Sequence, residues 1–90
     1  VIIVFVILVY DVGEKRVAKV LKTARKYLYW VQNSVLEGEI SEANLRQLKY
    51  ELRKLSDENV DSFIFYSFRT TKYYNREIIG VKKGGREIFL

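Results

Sequence analysis

Apolar and polar positions along this chain change period several times, and each change marks an element. The first ten positions, VIIVFVILVY, are apolar without interruption, and seven of them are β-branched (Val1, Ile2, Ile3, Val4, Val6, Ile7 and Val9). Such side chains are stiff and suit a pleated sheet, so the segment predicts a strand. An unbroken apolar run also implies that both faces of that strand are covered. From Glu14 to Tyr27 the period becomes helical. Val17, Val20, Leu21, Ala24 and Leu28 form one stripe, and Lys15, Lys19, Lys22 and Lys26 recur on the other side. LYWVQNSVLEGEIS reads as a hairpin turning at Asn33-Ser34, with one bent strand as the alternative. Ser41 is placed to cap a second helix from Glu42 to about Leu55, with Leu45, Leu48, Leu52 and Leu55 on its buried side.

After a polar DENVD loop, SFIFYSF predicts a further strand, with Phe63 and Phe65 on one face and Ile64, Tyr66 and Phe68 on the other. RTTKYYNR reads as a polar loop, EIIGV as a short strand, KKGG as a turn and REIFL as a terminal strand. The order β-α-β-β-α-β, with one or two short C-terminal strands, predicts an α+β ferredoxin-like sandwich with two helices on one face of an antiparallel sheet. Residues 1–90 form a single domain in this reading, and about 77–90 supply edge strands open to exchange with a partner subunit. Two helices cover only one face, yet the first and fourth strands are apolar on both. A symmetric copy is the simplest cover, so a homodimer through the sheet faces is expected. An RNA-binding open face would need aromatics interleaved with basic residues, and the first strand offers Val and Ile instead.

Composition narrows the chemistry. The chain has 90 residues, enough for one core, and contains no Cys and no His. Disulfides, a thiol nucleophile, a thiolate zinc site and the commonest general base are all excluded. Catalysis, if present, must rest on carboxylates, hydroxyls, Tyr, Lys and Arg, with a hard metal ion. Sixteen basic residues against eleven acidic ones give +5, which suits a polyanion. The ten-residue apolar run is too short for a membrane helix, which takes about 20. It also lacks the basic start and small-residue cleavage site of a secretory signal, so a cytoplasmic protein with no membrane partner is expected. The chain does not begin with Met, and a residue or two is expected ahead of Val1.

The greasy first strand ends on an acid, Asp11. Asp11-x-x-Glu14 is a capping-box-like pattern at the start of a helical period, which gives Asp11 a local structural reading. In a dimer whose first strands end near the two-fold axis, Asp11 would instead approach its symmetry mate, and a divalent cation would relieve the repulsion. Lys15, Lys19, Lys22 and Lys26 read either as a solvated helix face or as a phosphate track. Arg69, Lys72 and Arg76 surround Tyr73 and Tyr74, an interleaving that can stack on nucleic acid or pack against a partner. Gly84-Gly85 lacks phosphate-loop spacing.

Taken together, ILVYDV, the basic RVAKVLK helix, WVQNSVLEGEIS and the leucine-spaced second helix resemble the CRISPR-associated protein 2 family over almost the whole chain. Tyr10-Asp11 and the segment from Val31 to Glu39 are the most specific parts. The resemblance implies a ferredoxin-like homodimer with the strand-end aspartates facing each other. It also implies Mg²⁺- or Mn²⁺-dependent endonuclease activity on single-stranded RNA or duplex DNA, and a place in spacer acquisition beside a CRISPR-associated integrase subunit. Asp11 would then be the catalytic metal ligand, Tyr10 would support the site, and Arg16 would contact phosphate. A non-catalytic scaffold that holds DNA and bridges the integrase dimers is the alternative. Trp30 stands where a basic residue is common in the family, and Leu36 where an aromatic usually precedes the EG pair.

Overall fold

Alternation along the first strand sets the layers. The computed structural model describes residues 1–69 and 75–84. Its elements are β1 (Ile3–Asp11), α1 (Val17–Ala24), β2 (Tyr29–Gln32), β3 (Val35–Ser41), α2 (Glu42–Leu55) and β4 (Ser62–Phe68). The strands pair antiparallel in the order β2-β3-β1-β4. This is the expected ferredoxin-like βαββαβ fold. β1 therefore has a partner on each edge, and its two sets of side chains meet different surroundings. Val4, Val6, Leu8 and Tyr10 are buried under the helices. The intervening residues, Ile3, Phe5, Ile7, Val9 and Asp11, point to the opposite face, as the period of two requires.

Cross-strand register carries the same division outward. Leu8 lies between Leu36 and Phe65, and Tyr10 beside Phe63, all on the covered face. On the open face Ile7 lies between Glu37 and Tyr66, and Val9 between Val35 and Ile64. The helices close the core with Val20, Ala24 and Leu28 from the α1 segment and Leu45, Leu48 and Leu52 from α2.

Several local expectations hold. α2 spans the expected residues, and Ser41 Oγ accepts from the Asn44 amide at 3.1 Å, the bond of a serine N-cap. β4 coincides with SFIFYSF. The hairpin alternative holds for β2 and β3: Asn33 adopts φ 44° at the turn, and its carbonyl accepts from the Trp30 indole at 3.0 Å. A bulge between Trp30 and Gln32 adjusts the register.

Three expectations are corrected. α1 is shorter than the helical period from Glu14 to Tyr27, because the chain still turns through 14–16 and leaves the helix through the turn at 25–27. Asp11 does not cap α1: it remains in β1, paired with Ser62, and Arg16 occupies the N-cap position without a side-chain cap. EIIGV pairs with no strand among the described residues of this chain. Residues 77–81 run as irregular chain after Arg76, which is tied to Glu37 on the open face. Of the KKGG turn, Gly84 is buried against the Trp30 and Val31 carbonyls, where a Cβ would collide with both. Gly85 and REIFL lie outside the described residues.

Leu8→Ala should lower the free energy of unfolding by about 2–5 kcal/mol, because it empties a fully buried position between two strands. Val60→Ala, at a 65% exposed position, should change it by less than about 0.5 kcal/mol. Urea denaturation of both variants checks the assignment of the core.

Candidate functional site

Asp11 ends β1 on the open face, exposed and in register with Ser62 at the start of β4. Among the described residues its carboxylate makes no hydrogen bond or ion pair. It therefore sits beside an apolar surface as an available hard-oxygen donor. Tyr10 lies on the other face. Burial pushes its phenol up, its ring packs at 6.3 Å from that of Phe63, and its side chain hydrogen-bonds with Ser34. Any support it gives Asp11 passes through the backbone of β1.

The turn between β1 and α1 is held from a distance. Asp61, in the loop before β4, accepts from the Gly13 amide at 2.8 Å and the Asp57 amide at 2.9 Å. Arg16 adds a fork, Nε to Oδ2 at 2.5 Å and Nη2 to Oδ1 at 2.9 Å. The Asp61 side chain is 0% exposed, and the Arg16 guanidinium with these amides holds its carboxyl far below the usual aspartate range. The same contact raises Arg16. Sequence reading missed Asp61, because nothing in DENVD announces a partner 45 residues upstream.

The predicted basic residues divide into two groups. Lys15, Lys19 and Lys22 are exposed, with no acidic partner among the described residues. Arg69 is exposed just after β4. Arg16, Lys26 and Arg76 carry ion pairs instead, to Asp61, Glu51 and Glu37. Glu51 also accepts from the Tyr27 hydroxyl and, at 3.4 Å, from Gln47, so it joins the turn after α1 to α2. These hydrogen bonds lower the Glu51 carboxyl and raise Lys26 and Tyr27. Lys72, Tyr73 and Tyr74 lie outside the described residues.

The donor chemistry at Asp11 fits a hard divalent cation, which commonly takes one or two carboxylates and fills its shell with water. One chain supplies one such carboxylate here, since Asp61 is consumed by Arg16 and no cluster of three acids occurs among the described residues. The Ser62 hydroxyl shares the open face with Asp11.

The family model described as CRISPR associated protein Cas2 matches residues 4–76, most of the chain and all six elements save the first residue of β1. This chain belongs to the Cas2 family. It is 57% identical over 86 residues to the CRISPR-associated endoribonuclease Cas2 of Dictyoglomus turgidum, covering 96% of this chain and 99% of that one. It is 59% identical over 80 residues to the protein of the same name from Thermotoga maritima, covering 89% and 92%. A crystal structure of Cas2 superposes with a TM-score of 0.81 at 41% identity, covering 90% of this chain and 91% of that chain. Cas2 membership agrees with the βαββαβ order. No helix among the described residues is long and apolar enough to cross a membrane.

A depressed carboxyl ties stability to acid. Asp61 contributes its full stabilisation above the ordinary aspartate value of 3.8 and loses it progressively as the pH falls below that value. Stability of the parent protein should therefore fall more steeply between pH 4 and pH 2 than that of Asp61→Asn. Denaturant titrations across that window read the difference.

Proposed function

We propose that this Cas2 chain is a metal-dependent endoribonuclease subunit of CRISPR spacer acquisition, acting as a homodimer through its open sheet faces. The observation that carries the reading is the placement of Asp11: a carboxylate with no partner among the described residues, at the rim of an apolar face. Ile64 and Tyr66 on that face remain 47% and 51% exposed. A second copy laid over this face would remove apolar surface from water and bring the two Asp11 carboxylates toward the two-fold axis. The donor that one chain lacks is then supplied by the other. The name shared by the D. turgidum and T. maritima relatives supports hydrolysis of RNA phosphodiesters.

In this reading the Asp11 carboxylates of the two subunits would together hold one Mg²⁺ or Mn²⁺. Such an ion, when bound, neutralises phosphodiester charge and lowers the pKa of coordinated water. Lys15, Lys19 and Lys22 hold the nucleic acid backbone without reading sequence, and Arg69 adds a separate exposed cation at the far end of β4. Tyr10 fixes the end of β1 from beneath by packing on Phe63. With no His in the chain, no imidazole takes part.

Labelled single-stranded RNA and duplex DNA should be incubated with the protein in Mg²⁺ and in EDTA, beside Asp11→Asn of verified fold and dimer state. Loss of a ligand should lower metal-dependent cutting by at least about 100-fold, since even supporting residues of metal sites cost 10–100-fold. Equal cutting by both proteins removes Asp11 from catalysis.

A second reading, a scaffold that holds duplex DNA and docks an integrase subunit, is favoured by one observation. The three exposed lysines occupy α1 and the turn before it, in the helical layer that covers the other face of the sheet from Asp11. Counterion release gives about 0.9 in the log–log salt slope per phosphate contact on duplex. Replacing Lys15, Lys19 and Lys22 by Gln should flatten that slope by at least about 2 in a salt series of DNA affinities. An unchanged slope makes these lysines a solvated face.

A further inference from the structure

The acid that is wholly withdrawn from solvent, and to which the metal-ligand reading gives no part, lies beside the proposed catalytic one. Asp61 is the residue before Ser62, and Ser62 is the register partner of Asp11 across the β1–β4 ladder. From that position its carboxylate reaches two other places at once. Oδ1 takes the Gly13 amide, two residues beyond Asp11, and Oδ2 takes the Asp57 amide at the start of its own loop. The Arg16 fork closes the set at the entrance to α1.

The chain is thus fixed on both sides of Asp11. Before it, β1 is held by its ladder with β4; two residues after it, the main chain is held by a side chain from the loop that feeds β4. Each contact alone leaves a hinge at 12–13, and together they leave little freedom for the strand end. Gly13 has little space of its own, because a Cβ there would meet the Arg16 guanidinium. Arg16 fills that space while donating two of its hydrogen bonds away from solvent.

From this geometry we infer that Asp61, with Arg16 as its fork, is a positioning residue for Asp11: it sets where the strand-end carboxylate stands without touching substrate. The inference rests on the catalytic reading of Asp11 given above. It also reassigns Arg16. A guanidinium whose Nε and Nη2 are spent on a withdrawn carboxylate, and whose side chain is 26% exposed, is a poor free phosphate ligand.

Two measurements on the full chain test this. The first is amide hydrogen exchange of the parent protein and Asp61→Asn under native conditions. Asp11 and Gly13 amides should exchange at least about tenfold faster in the variant, while Leu48 and Leu52 in α2 keep their protection, as expected of a local opening. Unchanged exchange at Asp11 and Gly13 overturns the inference. So does acceleration spread equally through α2, which would make Asp61 a general stabiliser.

The second is a double-mutant cycle on RNA cleavage with Arg16→Ala, Asp61→Asn and both together. Each single change should lower kcat about tenfold or more with KM within about twofold, and the double variant should be no worse than the poorer single. A rise in KM at constant kcat for Arg16→Ala assigns Arg16 to phosphate binding and overturns the inference, as do losses that multiply. If the parent protein itself cleaves nothing, the catalytic reading fails separately, and the exchange experiment alone decides whether Asp61 sets the end of β1.

Discussion

β1 is apolar on both faces while the helices cover only one, and most of the molecule follows from that mismatch. Its even-numbered residues, Val4, Val6, Leu8 and Tyr10, hold the core together beneath α1 and α2. Its odd-numbered residues sit on a surface that α1 and α2 cannot reach. β4 repeats the pattern, with Phe63 and Phe65 packed against the core and Ile64, Tyr66 and Phe68 facing away. A chain of 90 residues has little apolar surface to leave in water, since a small domain buries a smaller fraction of its surface than a large one. The acid at the end of such a strand therefore sits at the margin of a face suited to burial. A carboxylate there avoids the desolvation that a mid-face position would impose.

What was legible in the sequence was what is decided locally. Ser41 caps α2 because its own hydroxyl reaches the amide three residues on, and the leucine spacing after it leaves one choice of buried side. The Asn33-Ser34 turn and the β4 segment were readable for the same reason. The entrance to α1 was not. Asp11-x-x-Glu14 has the composition of a capping box, yet the amide that needed an acceptor, Gly13, found one in Asp61, 48 residues away. A long-range carboxylate displaced a local one, and no period or spacing encodes that. EIIGV is a different case. Its β-branched content suits a strand, yet among the described residues it pairs with no sheet edge of this chain, and Arg76 just before it is tied to Glu37.

The candidate site divides along the same line. Asp11 could be singled out because an acid after ten apolar residues is conspicuous, but its local reading was the wrong one; resemblance to a family, and then the fold, moved it to the open face. The cations were visible as a class and not as individuals. Lys15, Lys19 and Lys22 remain exposed, whereas Arg16, Lys26 and Arg76 are each taken up by a carboxylate drawn from another element. These pairings differ in weight. Lys26 is 55% exposed, and an ion pair in that setting adds little to stability, so it can release its partner readily. Arg16 faces a covered carboxylate through a fork, and separating them would leave a buried charge without its counterpart.

That difference bears on how one small surface could serve both catalysis and scaffolding. Net charge of +5 attracts a polyanion from any side, but only cations free of internal partners can meet phosphates without first breaking a bond. Three of those cations, Lys15, Lys19 and Lys22, lie on α1 and just before it, in the layer of helices, while Asp11 lies on the opposite face of the sheet. The two surfaces are joined by the turn through 12–16, whose course is set by Asp61. A nucleic acid held on the helices and a cleavage site on the open face would not compete for the same residues. The direct connection between them along the chain is a backbone segment held by the Asp61 carboxylate, which offers a short route for coupling between binding and cutting.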